Sequence, residues 1–282
     1  MKVAGIVTLY HPDQEVLDNI KSYLSDIDKL YVIDNTPDIE NKDVLPKSDK
    51  IVYLPNHKNI GVASALNIGA RNAIAEGYQW LLTMDQDSKF QKGSIEKMIS
   101  YIENNDTENV GLITPWHVIN TGITKPEEAI DHPLEVMTSG NIINLKAFQE
   151  VEGFKDWYFI DAIDIEYCMN LNRHGYRIDR LNEVELKHDL GDIEVKHFLN
   201  RNFVCSNHNY IRRYYMVRNT FYLCNSYQES FPNYCHFLKR GLRGQLQNII
   251  LFEKDKYRKI RNMYRGYRDF KKGKMGAYDY KN

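Results

Sequence analysis

Apolar positions over the first 115 residues switch repeatedly between two periods. Val3–Leu9 is a continuous, β-branched run of strand length, whereas Val16, Leu17, Ile20 and Leu24 recur on one helical face. His11-Pro12-Asp13 lies between them and starts the helix, with proline near the first turn and acids following. The pattern continues with strands at Leu30–Ile33 and Lys50–Leu54 and an alanine-rich helix over Gly61–Glu76. A strand at Trp80–Met84, a helix over Gly93–Asn104 and a strand at Val110–Thr114 follow. Short strands alternating with helices of roughly 10–15 residues predict βαβ units, hence an α/β fold with a mostly parallel sheet flanked by helices.

Beyond Pro115 the rhythm breaks. Residues 116–136 read as a loop with an irregular insert, Ile142–Leu145 and Val184–Lys187 as short strands, and Asp164–Arg173 as a helix. From Arg212 onward strand signals stop; Arg212–Tyr227 and Asn233–Lys271 read as helices, and the last residues as a frayed end. The expected organisation is a sheet domain over residues 1–211 and a helical extension over 212–282.

Asp85-Gln86-Asp87 stands directly after the apolar run Trp80–Met84. Two carboxylates then emerge at the C-terminal end of a buried strand, where open α/β sheets bind ligands. Such a pair suits a hard divalent cation, which can in turn hold a diphosphate. Thr8 and Tyr10 leave the first strand, and Asp34 and Asn35 the second, so a parallel sheet delivers all of them to one rim. In Asn59-Ile60-Gly61-Val62-Ala63-Ser64-Ala65-Leu66-Asn67-Ile68-Gly69, glycine and small residues open a helix whose free N–H groups can approach a phosphate. Close helix–sheet packing explains the same glycines. The spacing is not that of a dinucleotide fingerprint.

Composition changes this picture little: 43% hydrophobic and 27% charged residues are ordinary for a globular protein. Four scattered cysteines without a paired spacing suggest a reducing compartment, and no window approaches the ~18 apolar residues of a spanning helix. A cytoplasmic protein is expected. Charge adds more. From Lys239 onward there are fourteen Lys and Arg against four Asp and Glu, which leaves an acidic body under a basic tail. In that tail Tyr257, Tyr264, Tyr267 and Phe270 interleave with cations, which suits an anionic membrane surface. Packing on its own domain or at a homodimer interface explains it equally. No nucleic-acid recognition motif accompanies the charge, so nucleic acid is not expected.

Taken in order, these pieces resemble family 2 glycosyltransferases of the GT-A fold, and in detail the bacterial rhamnosyltransferases that use dTDP-rhamnose. The resemblance spans roughly residues 3–225. It rests on Val7-Thr8-Leu9-Tyr10, Ile33-Asp34-Asn35, the Asn59–Gly69 segment, Met84-Asp85-Gln86-Asp87-Ser88 and Thr138-Ser139-Gly140. Further on come Gly153-Phe154, Phe159-Ile160-Asp161-Ala162-Ile163-Asp164-Ile165-Glu166-Tyr167-Cys168, His188-Asp189-Leu190-Gly191 and Arg213-Tyr214-Tyr215-X-X-Arg218-Asn219. The resemblance implies an inverting transfer of L-rhamnose from dTDP-L-rhamnose to a hydroxyl of a lipid-linked or oligosaccharide precursor of a surface polysaccharide. Attachment would be peripheral, on the inner face of the membrane.

Carried onto this chain, the resemblance has Thr8, Tyr10, Asp34, Asn59, Gly61 and Asp85 bind the donor, with Asp34 accepting from the nucleobase. Asp87 and His188 would hold Mg²⁺ or Mn²⁺. Asp164 would be the general base and Asp161 the second candidate; crowding of Asp161, Asp164 and Glu166 is expected to raise a carboxyl pKa. Where many relatives carry an arginine this chain has Leu66, so diphosphate contact is expected from Arg213 or Arg218. Three alternatives stay open: another nucleotide sugar such as a UDP-hexose, a nucleotidyltransferase, and an inactive glycan-binding protein.

Overall fold

A computed structural model of the chain describes residues 1–118, 124–187, 194–198 and 201–280. In chain order the strands are β1 (Val3–Leu9), β2 (Lys29–Asp34), β3 (Ile51–Pro55), β4 (Trp80–Asp85), β5 (Lys89–Phe90), β6 (Val110–Val118), β7 (Ile130–Asp131), β8 (Asn141–Asn144), β9 (Arg177–Lys187), β10 (Glu194–Phe198) and β11 (Arg201–Cys205). The helices are α1 (Glu15–Leu24), α2 (Val62–Ala75), α3 (Ser94–Asn104), α4 (Leu145–Glu150), α5 (Ile163–Arg173), α6 (Tyr210–Tyr227), α7 (Pro232–Leu251) and α8 (Lys256–Lys271).

By packing, the chain forms two compact units. The first, Met1–Asp156 with Asp164–Asp189, holds the main sheet in the order β3-β2-β1-β4-β8-β6-β9-β5, with β7 on β9. Strands β3, β2, β1 and β4 pair in parallel, as do β6 and β9, while β8 inserts antiparallel between β4 and β6. Beneath lie α1, which buries Val16, Ile20 and Tyr23, and α3, which buries Ile95, Met98 and Ile102. These are the apolar stripes that their 3.6-residue period presents. Helix α2 covers the other face with small residues; a Cβ on Gly69 would lie 2.2 Å from Ile6 Cδ1 of β1, so packing accounts for that glycine.

The second unit is Trp157–Ile163 with Leu190–Asn282. It combines α6, α7 and α8 with the β10–β11 ribbon, around a small core that includes Val217, Leu242, Ile249 and Met263.

Beyond the short β5, β7, α4 and the β10–β11 ribbon, which the pattern did not signal, three elements differ from the expectation. Strand β6 runs on through Pro115 to Val118, at a register jump where Pro115 pairs with Leu181 and Trp116 with Glu185; a bulge is where a strand tolerates proline. Strand β9 begins at Arg177, because its polar residues are paired in place: Asp179 takes Arg177 and Tyr101, and Asn182 donates to the Glu128 carbonyl. The long C-terminal helix breaks between Leu251 and Lys256. There Glu253 turns inward to meet Arg213 at 2.6 Å and Lys259 at 2.7 Å, and Asp255 takes a left-handed φ of 53°.

Candidate functional site

Register brings the rim residues together. Thr8 pairs with Asp85 across β1–β4, and Leu9 with Asp34 across β1–β2, so three neighbouring strands about 4.8 Å apart end with Thr8, Asp34 and Asp85. Gln86 ties two of these exits: its Oε1 accepts from the Tyr10 N–H at 2.8 Å and its Nε2 donates to the Tyr10 carbonyl. The glutamine between the two acids thus fastens the rim, a role that spacing did not reveal. Thr8 Oγ1 is buried with no partner among the described residues, and Tyr10 stands 47% exposed with its ring edge-on to His11.

Asp34 is fully buried. Its Oδ1 accepts from the Thr36 N–H at 2.9 Å, and its Oδ2 accepts from Tyr53 Oη at 2.7 Å and from Asn41 through both N and Nδ2. Burial alone would raise its pKa, but the bonds from Tyr53, Thr36 and Asn41 outweigh that and hold it below the ordinary carboxylate range. Asp34 thereby orders the loop after β2, with three donors on Oδ2 and one, the Thr36 N–H, on Oδ1.

The start of α2 is built in the same way. Gly61 adopts φ 87°, open to glycine at no steric cost; Asn59 Oδ1 accepts its N–H at 2.9 Å and Asn35 donates to its carbonyl. The helix N-terminus is thereby stitched to the β2 exit. Asn67 of α2 pins the Gly153-Phe154 turn from both sides, donating to the Phe154 carbonyl and accepting its N–H.

A second set of residues joins this rim through Ser139. The Asp85 N–H donates to Ser139 Oγ at 3.1 Å, Ser139 Oγ donates to Ser88, and the Ser139 carbonyl lies 2.7 Å from His117 Nε2. Gly140 follows at φ 83°, with its N–H on the Thr83 carbonyl at 2.7 Å; a Cβ there would meet Leu186 Cδ2 at 2.7 Å. His117 in turn lines a pocket of about 370 Å³ together with Asp164, Trp116, Glu135 and Arg180. Asp164 sits in the first turn of α5, where its Oδ1 accepts the Ile165 N–H at 2.9 Å. Trp116, His117, Glu135 and Arg180 escaped the sequence reading because they lie in the region read as an irregular insert, or in the part of β9 whose polarity hid it.

The two arginines expected at the diphosphate are both engaged within the second unit. Arg218 is completely buried. Its Nε donates to Asn219 Oδ1, its Nη1 to the Gly276 carbonyl and Tyr214 Oη, and its Nη2 to the carbonyls of Trp157 and Tyr158. That occupies all five N–H donors and leaves none for a diphosphate. Asn219 completes the clamp on the carbonyls of Tyr158, Ile160 and Asp161. Arg213, also buried, is held by Glu253, Ser206 and Gln245.

Asp161 belongs to the second unit, with Oδ1 3.1 Å from Arg212 Nε. Its carboxyl is pushed above the usual range, but by burial, with Arg212 pulling the other way, rather than by repulsion from Asp164 and Glu166. For the metal, Asp85 and Asp87 leave β4 together, and Asp87 is exposed at the turn. Among the described residues no group of three or more His, Cys, Asp and Glu is gathered, and His188 lies outside them. Leu66, in place of an arginine, is a buried core residue.

The fold has close counterparts among solved structures. S. aureus TarS (residues 1–349, in complex with UDP-GlcNAc) superposes with a TM-score of 0.61 at 13% identity, covering 96% of this chain and 80% of that one. GalNAc-T7 with UDP, GalNAc and Mn²⁺ gives 0.59 at 10% identity over 84% of this chain and 50% of that one. These likenesses show the GT-A arrangement of the sheet. In sequence, the dTDP-rhamnosyl transferase RfbF of Shigella flexneri is 25% identical over 245 residues, 78% of this chain and 79% of that protein. An uncharacterized glycosyltransferase of Rickettsia conorii is 31% identical over 124 residues, 42% of this chain and 20% of that protein. The sequence model of Glycosyl transferase family 2 matches residues 8–163, more than half of the chain; with the rim, the α2 start and the Asp164 pocket inside or beside that span, the chain belongs to glycosyl transferase family 2.

Proposed function

We propose that this glycosyltransferase moves L-rhamnose from dTDP-L-rhamnose, with inversion, to a hydroxyl of a lipid-linked or oligosaccharide precursor of a bacterial surface polysaccharide. The similarity to RfbF over most of both chains supports the donor. The observation that carries the mechanism is the hydrogen-bonded route from Asp85 through Ser139 to His117, which joins the strand-end rim to the pocket of Asp164.

The nucleoside rests against the rim beside Thr8, the exposed Tyr10 ring and Asp34. Gly61 and the first N–H groups of α2, fixed by Asn59, face the diphosphate. Asp85 and Asp87 would hold Mg²⁺ or Mn²⁺, with His188 as a further ligand, and the bound cation would neutralise the charge developing on the leaving diphosphate. Asp164 takes the proton of the attacking acceptor hydroxyl. Asp161, its carboxyl raised by burial with Arg212 at 3.1 Å, is the second candidate for that base. A single displacement at the anomeric carbon inverts its configuration. Exposed Tyr257 and Tyr264 among the cations of α8 suit peripheral contact with an anionic cytoplasmic leaflet.

The test is release of nucleoside diphosphate from a panel of nucleotide sugars, with Mn²⁺, with Mg²⁺ and with chelator. Turnover of dTDP-rhamnose that stops in chelator is expected, and Asp164→Asn should lower transfer by about 10²–10⁴-fold. Preference for a UDP-hexose would end the donor assignment, undiminished turnover in chelator the metal assignment, and full activity of Asp164→Asn its role as base.

A further inference from the structure

The Asp164 pocket has a wall that proton abstraction does not require. Trp116 follows the Pro115 register jump, so β6 re-aims its side chain at that point, as bulges beside active sites do. The Arg180 guanidinium lies 4.8 Å from the Trp116 ring centroid. It is fixed there by Asp131 of β7, whose Oδ1 accepts Arg180 Nε at 2.9 Å while Oδ2 takes the second arm. Asn182 Nδ2 also donates to Asp131, at 3.0 Å. Burial would raise the Asp131 carboxyl, but Arg180 and Asn182 hold it below the usual range and so keep it charged as Arg180's partner. The outcome is a guanidinium fixed beside an indole by its planar, two-armed ion pair to Asp131.

We propose that this wall is the acceptor subsite: a pyranose of the acceptor glycan lies against Trp116 and Arg180, with its nucleophilic hydroxyl presented to Asp164. The inference rests on Asp164 acting as base. Its chemistry is that of a carbohydrate ligand. A pyranose carries apolar C–H faces bordered by hydroxyls, and here an indole, Met137 and Ile165 meet Glu135, Asp164 and Arg180 in one pocket of about 370 Å³. That size lies within the range of small-molecule sites, and its few polar groups among apolar ones are the usual means of fixing orientation. Residues before Val118 and at 135–137 therefore choose the acceptor sugar, while the β1–β2–β4 rim handles the donor.

The test uses the full chain and a panel of methyl pyranosides: rhamnose, glucose, galactose and N-acetylglucosamine. Saturation-transfer NMR reads their binding to Asp164→Asn, without turnover; initial rates with the best binder as acceptor read KM for acceptor and donor separately in the wild-type background. Trp116→Ala should raise acceptor KM at least tenfold with donor KM changed less than twofold, and Trp116→Phe should recover most of the loss. Ile165→Trp, which narrows the pocket from α5, should weaken glycoside binding even if Trp116→Ala does not fold. An unchanged acceptor KM in Trp116→Ala, an equal rise in donor KM, or glycoside binding indifferent to both Trp116→Phe and Ile165→Trp would overturn the subsite. If no nucleotide sugar is turned over yet glycosides bind and Ile165→Trp weakens them, the donor reading fails and the subsite stands.

Discussion

Replacing Arg218 with lysine separates two roles that a buried arginine after a tyrosine pair could have. The guanidinium is fully buried, with Nη1 2.7 Å from the Gly276 carbonyl and Nη2 3.1 Å from that of Tyr158. The segment that it clamps holds three non-glycine residues in the left-handed region: Phe159 at φ 68°, Asp161 at 63° and Ala162 at 62°. Each such residue costs on the order of 1–3 kcal/mol and persists only where its surroundings over-determine it. Lysine has one nitrogen and cannot reach carbonyls spread over a planar fork. Losing two bonds from a charged donor, at about 1.5–3 kcal/mol each, predicts destabilisation by about 3–5 kcal/mol after partial relaxation. At roughly 2–4 °C per kcal/mol the melting temperature should fall by about 6–20 °C. Urea and thermal unfolding of Arg218→Lys measure this, and initial rates at low temperature give donor KM for the folded enzyme. A melting temperature within about 1 °C of wild type, together with a donor KM raised more than tenfold, would refute the clamp and return Arg218 to the diphosphate.

Two further outcomes follow from the rim. Gly140→Ala adds a Cβ 2.7 Å from Leu186 Cδ2 at φ 83°, so left-handed strain and overpacking together should cost about 2–4 kcal/mol of unfolding free energy; an unchanged urea midpoint would count against that. Asp34 has a folded-state pKa below its unfolded value of 3.8, so its contribution is present above that pH and is lost as pH falls through the folded pKa. Wild type should accordingly be more stable than Asp34→Asn at neutral pH, with the gap closing in urea titrations below about pH 4. A gap that widens in acid would reverse the sign of the argument.

Much of the first unit was legible along the chain because its signals are local. The continuous apolar strands β1, β2 and β4 and the amphipathic helices α1 and α3 each declare themselves within a dozen residues, and strand ends carry Thr8, Asp34 and Asp85 to the rim once the strands are parallel. Polar strand residues satisfied by distant partners were not legible. Asp179 meets Tyr101 and Asn182 meets Glu128, so β9 looked too polar to begin at Arg177. The turn at Glu253 was hidden for the same reason: an acid beside Lys254 in a helical pattern reads as solvated until Arg213 of α6 and Lys259 of α8 are seen to bury it.

By itself, then, the order of residues determined the βαβ rhythm, the placement of carboxylates at strand exits and membership of a transferase family through motifs of modest length. Tertiary structure decided which polar groups still have capacity to act. Arg218 carries the residue type that diphosphate binding wants, yet its N–H groups are taken by partners from 1 to 61 positions away. Trp116 and Arg180, unremarked in the sequence, come together across strands because a register jump in β6–β9 and the ion pair to Asp131 put them there. Periodicity is a property of neighbours along the chain, whereas the saturation of a donor or acceptor depends on whichever group the fold brings within about 3 Å of it.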